Sequence, residues 1–279
     1  MEDFTDNAVK DNERLWMSLY KDLAQPSIQT IGKSLGTTLE FFCTPFIALQ
    51  NVNGRIKMNL QHRLHQYAKS LEQVPDDKRC EVHPELGVPI IQRLSYTTND
   101  DIANLFVNLL TNASNLDNLN LSHPSFISII DRLAPDEARL LKYINDNNGI
   151  ILYVSFRAKA HKSEEKKDKT SFDFDYDMSF AELRKWLTLA SRDVVLDFPD
   201  NLHMYWANLI SCGLIMDGGD MELTNKDEIY NAIATYNQIE NVRLEYVPST
   251  YRDIETHHSF FQLTPLGEQF IQVCIGGRD

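Results

Sequence analysis

An arginine followed by a histidine, with four to six residues between them, can set a cation beside an imidazole and so activate a ribose hydroxyl. The spacing occurs at two places in the sequence, at Arg55 with His62 and at Arg252 with His257. With 13 arginines, 8 histidines and three allowed spacings, about one match is expected by chance, so spacing alone decides little. Arg252 and His257 fall in a loop or the start of a strand ahead of Phe260, not on a helix, and no polar residue directly follows Arg55. Two further histidines, His62 and His65, stand one helical turn apart, but metal binding needs a third and fourth ligand that the neighbouring sequence lacks.

Other chemistries lack their required context. Gly32-Lys33-Ser34 suggests a phosphate loop, yet Ser27 occupies the place of the first glycine, and Gln25-Pro26 opens a helix rather than closing a strand. Gly32 and Gly36 instead leave room for a neighbouring helix to approach closely. There is no Gly-x-Ser-x-Gly elbow, and Cys43, Cys80, Cys212 and Cys274 are too scattered for a metal motif. Asp173, Asp175 and Asp177 alternate with aromatic residues, which predicts one polar face of an edge strand. No cofactor and no metal are expected.

Charge narrows the function further. Against 27 basic residues stand 40 acidic ones, a formal charge of −13 over 279 residues, and no lysine or arginine occurs from Asp193 to Asn225. A surface of that sign repels phosphates, which argues against nucleic acid as a partner. No apolar run is long enough to span a membrane, because Glu40 and Pro45 interrupt the best stretch.

The elements that would position these residues divide into two kinds. Up to about residue 132 the pattern is helical. Ile28, Ile31, Leu35, Leu39 and Phe42 form one stripe, Ile56, Leu60, Leu64, Ala68 and Leu71 another with Arg55, Lys57, Arg63 and Lys69 near the opposite face, and Ile102, Leu105, Phe106, Leu109 and Leu110 a third. Pro124 and Pro135 each mark a helix start, and Asp136 and Glu137 suit the positive end of the second. After residue 132 the pattern is mixed. A strand is predicted at Ile150 to Phe156, helices along Phe180 to Ala190 and Leu202 to Ile210, short strands at Leu214 to Met216 and Met221 to Leu223, a helix over Lys226 to Ile239, a strand at Phe260 to Leu263 and a closing helix from Pro265 to Cys274. That order predicts an α+β, mainly α chain: a helical domain over 1–132, then a winged-helix-like domain over 133–279 with an insertion between its last strands.

Three stretches resemble the core of the abortive infection alpha family: Leu105 to Leu110, His123-Pro124-Ser125-Phe126, and Leu133-Ala134-Pro135-Asp136-Glu137-Ala138. Asn208 to Ile215 and Leu263 to Gly267 are similar as well. The resemblance implies a bacterial or phage-borne protein of phage defence and brings no catalytic residue with it. The expectation is therefore a cytoplasmic, non-enzymatic defence protein acting through a protein partner, self-association or peripheral membrane contact on activation. Its candidate effector helix carries Ile28, Ile31, Gly32, Leu35, Gly36, Leu39 and Phe42. The rivals are a ribonuclease using Arg252 and His257 and a DNA-binding winged-helix regulator.

Overall fold

A computed structural model describes residues 54–160, 180–239, 241 and 251–276. The effector-helix residues Ile28 to Phe42, the Asp173 to Asp177 alternation and the side chains of Arg55 and Arg252 lie outside the described residues. The chain divides into two units, Met1–Ala138 with Gln269–Asp279, and Arg139–Glu268.

In the helical unit, α1 (Gly54–Leu71), α2 (Pro84–Tyr96) and α3 (Asp100–Ala113) pack on one another, and the short α4 (Ser125–Ile130) joins α2 and α3. The stripes read from sequence are the buried ones: Leu60, Leu64, Ala68 and Leu71 of α1, and Leu105, Phe106, Leu109 and Leu110 of α3. Asn99 caps α3 by accepting from the Ile102 amide at 3.2 Å, which satisfies one of the free donors of the first turn. Arg63 departs from its expected place near the polar face. Its side chain is only 2% exposed, and it bonds Asp100 at 2.8 Å and the Thr98 carbonyl at 3.2 Å, so its charge is paired inside the unit.

The helix α5 (Pro135–Asp146) contains the boundary between the units. Its start carries half of a capping box: Glu137, at the third helical position, reaches back to accept from the Ala134 amide at 2.6 Å. At the other end of the sequence, α9 (Pro265–Phe270) continues as a π-helical segment, Ile271–Gly276. From residue 269 onward it belongs to the helical unit, where Asn108 donates to the Cys274 carbonyl at 2.9 Å and Asn112 to the Val273 carbonyl at 2.8 Å.

The second unit is built on a four-stranded antiparallel sheet in the order β2-β1-β4-β3. Its strands are β1 (Ile150–Ala160), β2 (Phe180–Leu187), β3 (Ile215–Asp217) and β4 (Tyr251–Leu263). Between them lie α6 (Ala190–Asp193), α7 (Leu202–Ser211) and α8 (Asp227–Tyr236). One sheet face is apolar: Val154, Phe156 and Ile254 form a core with Tyr230, Ile233 and Ala234 of α8. Gly267 seals the far end, since a Cβ there would stand 1.9 Å from the Leu214 carbonyl oxygen.

Two expectations are corrected. Phe180, Leu183 and Leu187 lie on β2, not on a helix; the pairing with β1 shifts register twice, between Val154 and Phe156 and between Phe156 and Arg157, which interrupts the two-residue alternation. Met221 to Leu223 forms no strand, and Glu222 is turned to His258 at 2.7 Å.

Candidate functional site

Strand periodicity sets the chemistry of the other sheet face. Tyr153, Ser155 and Arg157 alternate along β1, and their Cα partners on β4 are Ser259, His257 and Glu255, so these side chains share one face. At the bulge two β2 residues oppose Ser155, and Trp186 adopts φ +59° with its amide donating to Ser155 Oγ at 3.2 Å. Positive φ is rare for a bulky residue, and here it turns the indole back over this face.

Asp217, at the end of β3, gathers three donors. Tyr153 Oη donates to it at 2.5 Å, Trp186 Nε1 at 3.0 Å and the Gly219 amide at 2.9 Å. Burial, then the bond to Asp217, raises the Tyr153 phenol above its usual range, so it remains a donor. Phe261 lies among these groups, with ring centroids 4.7 Å from Tyr153, 5.8 Å from Trp186 and 5.0 Å from Trp206.

A second group centres on His257. Its Nε2 stands 3.0 Å from Asp220, which Arg157 also meets at 3.3 Å, while Arg157 reaches Glu182 at 3.6 Å. The Arg157 guanidinium holds the Asp220 carboxyl below the usual carboxylate range. Burial and then the charge of Arg157 lower His257, against the opposing pull of Asp220 and Glu182. The neutral imidazole therefore donates from Nε2 to Asp220, and its acceptor nitrogen Nδ1 is buried with no hydrogen-bond partner among the described residues. Ser259 Oγ is buried in the same way.

The residues singled out by sequence fall into separate places. His257 belongs to this face. His62 and His65 are both exposed on α1, and among the described residues no group of three histidine, cysteine or carboxylate side chains could hold a metal ion. The His123-to-Glu137 motif is structural. His123 Nδ1 accepts from the Ser125 amide at 3.1 Å, Phe126 packs edge to face on Phe270 at 5.3 Å, and Asp136 and Glu137 are buried. Sequence reasoning passed over Tyr153, Ser155, Trp186 and Asp217. The alternation Tyr153-x-Ser155-x-Arg157 carried a signal, since period two puts all three on one face, but nothing local ties it to Asp217, 64 residues beyond Tyr153.

A model of the family described as abortive infection alpha matches residues 58–274. The chain belongs to the abortive infection alpha family. Membership carries an abortive-infection-type role in phage defence, and the family match spans the described parts of both units. Among curated proteins none matches the chain. Among solved structures, an uncharacterized protein from the hydrocarbon-degrading marine bacterium Alcanivorax borkumensis SK2 is similar at 16% identity and TM-score 0.32, over 57% of this chain and 94% of that one. Among the described residues of this abortive infection alpha protein, no helix is long and apolar enough to cross a membrane.

Proposed function

We propose that this abortive infection alpha protein defends without catalysis, by docking a protein partner on an acidic, apolar surface of its sheet unit. The observation that carries the reading is the run from Val195 to Met204. Val195 is 85% exposed, Phe198 66% and Met204 51%, and the acidic Asp197 and Asp200 stand between them. Large apolar side chains kept in water suit association, with Phe198 as the anchor; Arg139 meets Asp197 at 3.1 Å at the edge of the run, and Asp200 supplies its further acidic charge. The partner of matching chemistry is a protein that offers an apolar recess with basic side chains around it.

Two features count against the rival chemistries. A ribonuclease base has to reach its proton, and the free nitrogen of His257 is the buried one. We read the sheet unit as winged-helix-like, with β2 added at one edge and α8 inserted before β4. The helix that would read DNA, α7, contains no lysine or arginine, and the acidic run around it repels phosphate. The same charge disfavours an anionic lipid surface.

The test is phage infection of cells producing the full chain, with host survival, nucleic-acid integrity and membrane potential followed together. Phe198→Asp should abolish protection while the protein stays folded and abundant, and His257→Ala or Arg252→Ala should leave protection intact. Loss of both protection and RNA cleavage on either of those two changes would establish the ribonuclease. Early membrane depolarisation that persists in Phe198→Asp cells would establish membrane action.

A further inference from the structure

The sheet unit also contains a cavity of about 490 Å³, within the roughly 300–1,000 Å³ typical of small-molecule sites. It is bounded by the end of α5, the start of β1, α6 and the first half of α8, and it is separate in its lining residues from the face that carries His257. One side of its wall is aliphatic: Ile150, Leu152, Leu189 and Leu223 are all half-buried, so part of each faces open space.

The polar groups at this cavity are one paired set, the neutral amides of Asn147 and Asn148, and one further cation. Arg192 Nε lies 2.7 Å from Asp193 Oδ1, and Tyr143 donates to Asp193 Oδ2 at 3.0 Å. Arg192, with help from Tyr143, holds Asp193 below the usual carboxylate range, so the arginine and aspartate charges cancel. Lys226 has no ion-pair partner among the described residues. Its position is set by Asn225 at φ +61°, a left-handed turn that asparagine tolerates, and it leads into the N-terminus of α8. The neighbouring acids Asp227 and Glu228 do not line the cavity.

We infer that this cavity binds a medium-chain aliphatic acid, with its chain on the Ile and Leu walls and its carboxylate on Lys226. Aliphatic walls without an aromatic ring other than Tyr143 fit a flexible chain better than a flat ring system. One unpaired cation matches one negative charge, whereas a phosphate dianion would leave charge unbalanced.

Calorimetric titration of the full chain with decanoate, kept below its micelle-forming concentration, tests this. Decanoate should bind saturably, one molecule per chain, and uncharged decanol at least about tenfold more weakly. Lys226→Glu and Ile229→Asp alter exposed residues at the cavity, so both should fold, and each should weaken decanoate at least about tenfold while Lys226→Arg retains it. Equal affinity for decanol and decanoate, unchanged affinity in Lys226→Glu, or no saturable binding below about 1 mM would each overturn the inference.

Discussion

The family motif of the helical unit and the Val195 to Met204 run of the sheet unit place their apolar groups in opposite ways. In the helical unit Phe126, Asp136 and Glu137 of the family motif are turned inward, Phe126 packing on Phe270 and Glu137 closing a helix start, and Arg63 is buried with its charge paired. In the sheet unit Val195, Phe198 and Met204 stand in water, and the ion pairs of Asp220 lie at the surface. The His123-to-Glu137 stretch therefore packs mainly within its own unit, whereas the exposed apolar run belongs to the sheet unit.

Two phenylalanines give the largest contrast. Phe126→Ala should cost about 3–5 kcal/mol, because it empties a fully buried site and removes an edge-to-face ring contact. Phe198→Ala, at a residue 66% exposed, should cost less than about 0.5 kcal/mol. Chemical denaturation of both variants checks this, and similar losses would erase the distinction between inward motif and outward surface.

A smaller effect is expected at the polar sheet face. Asp217→Ala leaves Tyr153, Trp186 and the Gly219 amide without their acceptor and should cost about 2 kcal/mol, a typical value for hydrogen bonds to a charged group. Trp186 fluorescence should change with it. An unaltered denaturation midpoint would mean that solvent replaces the carboxylate at no cost, making this face as tolerant as the exposed apolar run.

The smallest effect is a slope with pH. Burial and Arg157 hold His257 below its ordinary value of 6.5, so the folded protein resists the proton that the unfolded chain accepts. Its contribution is complete above about pH 6.5 and is lost as pH falls from there through the depressed folded value. His257→Gln should flatten the decline in stability between pH 7 and pH 5, read from denaturation midpoints. Asp220, held below 3.8, loses its contribution only at lower pH and leaves this window clear.

Legibility from sequence followed the range of the interactions. The α1 and α3 stripes, the two proline-marked helix starts and the short strand at Leu214 to Met216 were all readable, because helical and strand periods and caps are local. The sequence misread β2, since Phe180, Leu183 and Leu187 step by three and four on a bulged strand. It also missed the bonds of Asp217 to Tyr153 and Trp186, which cross 64 and 31 residues, and the cavity at Lys226, which needs four elements to enclose it. The return of residue 269 onward to the helical unit was equally invisible, because the closing helix has the same apolar pattern whichever unit it joins.

That return has a consequence during synthesis. Asn112 waits 161 positions for the Val273 carbonyl, and Asn108 waits 166 for that of Cys274. A ribosome adding about 5–20 residues per second needs roughly 10–30 s to cover that distance, and meanwhile the sheet unit emerges whole. The helical unit begins first and closes last. A nascent chain cut short just after residue 268 carries the whole sequence of the sheet unit and an unfinished helical one, so an interruption at that point would release a molecule whose outward-facing half is complete before its inward-facing half is sealed.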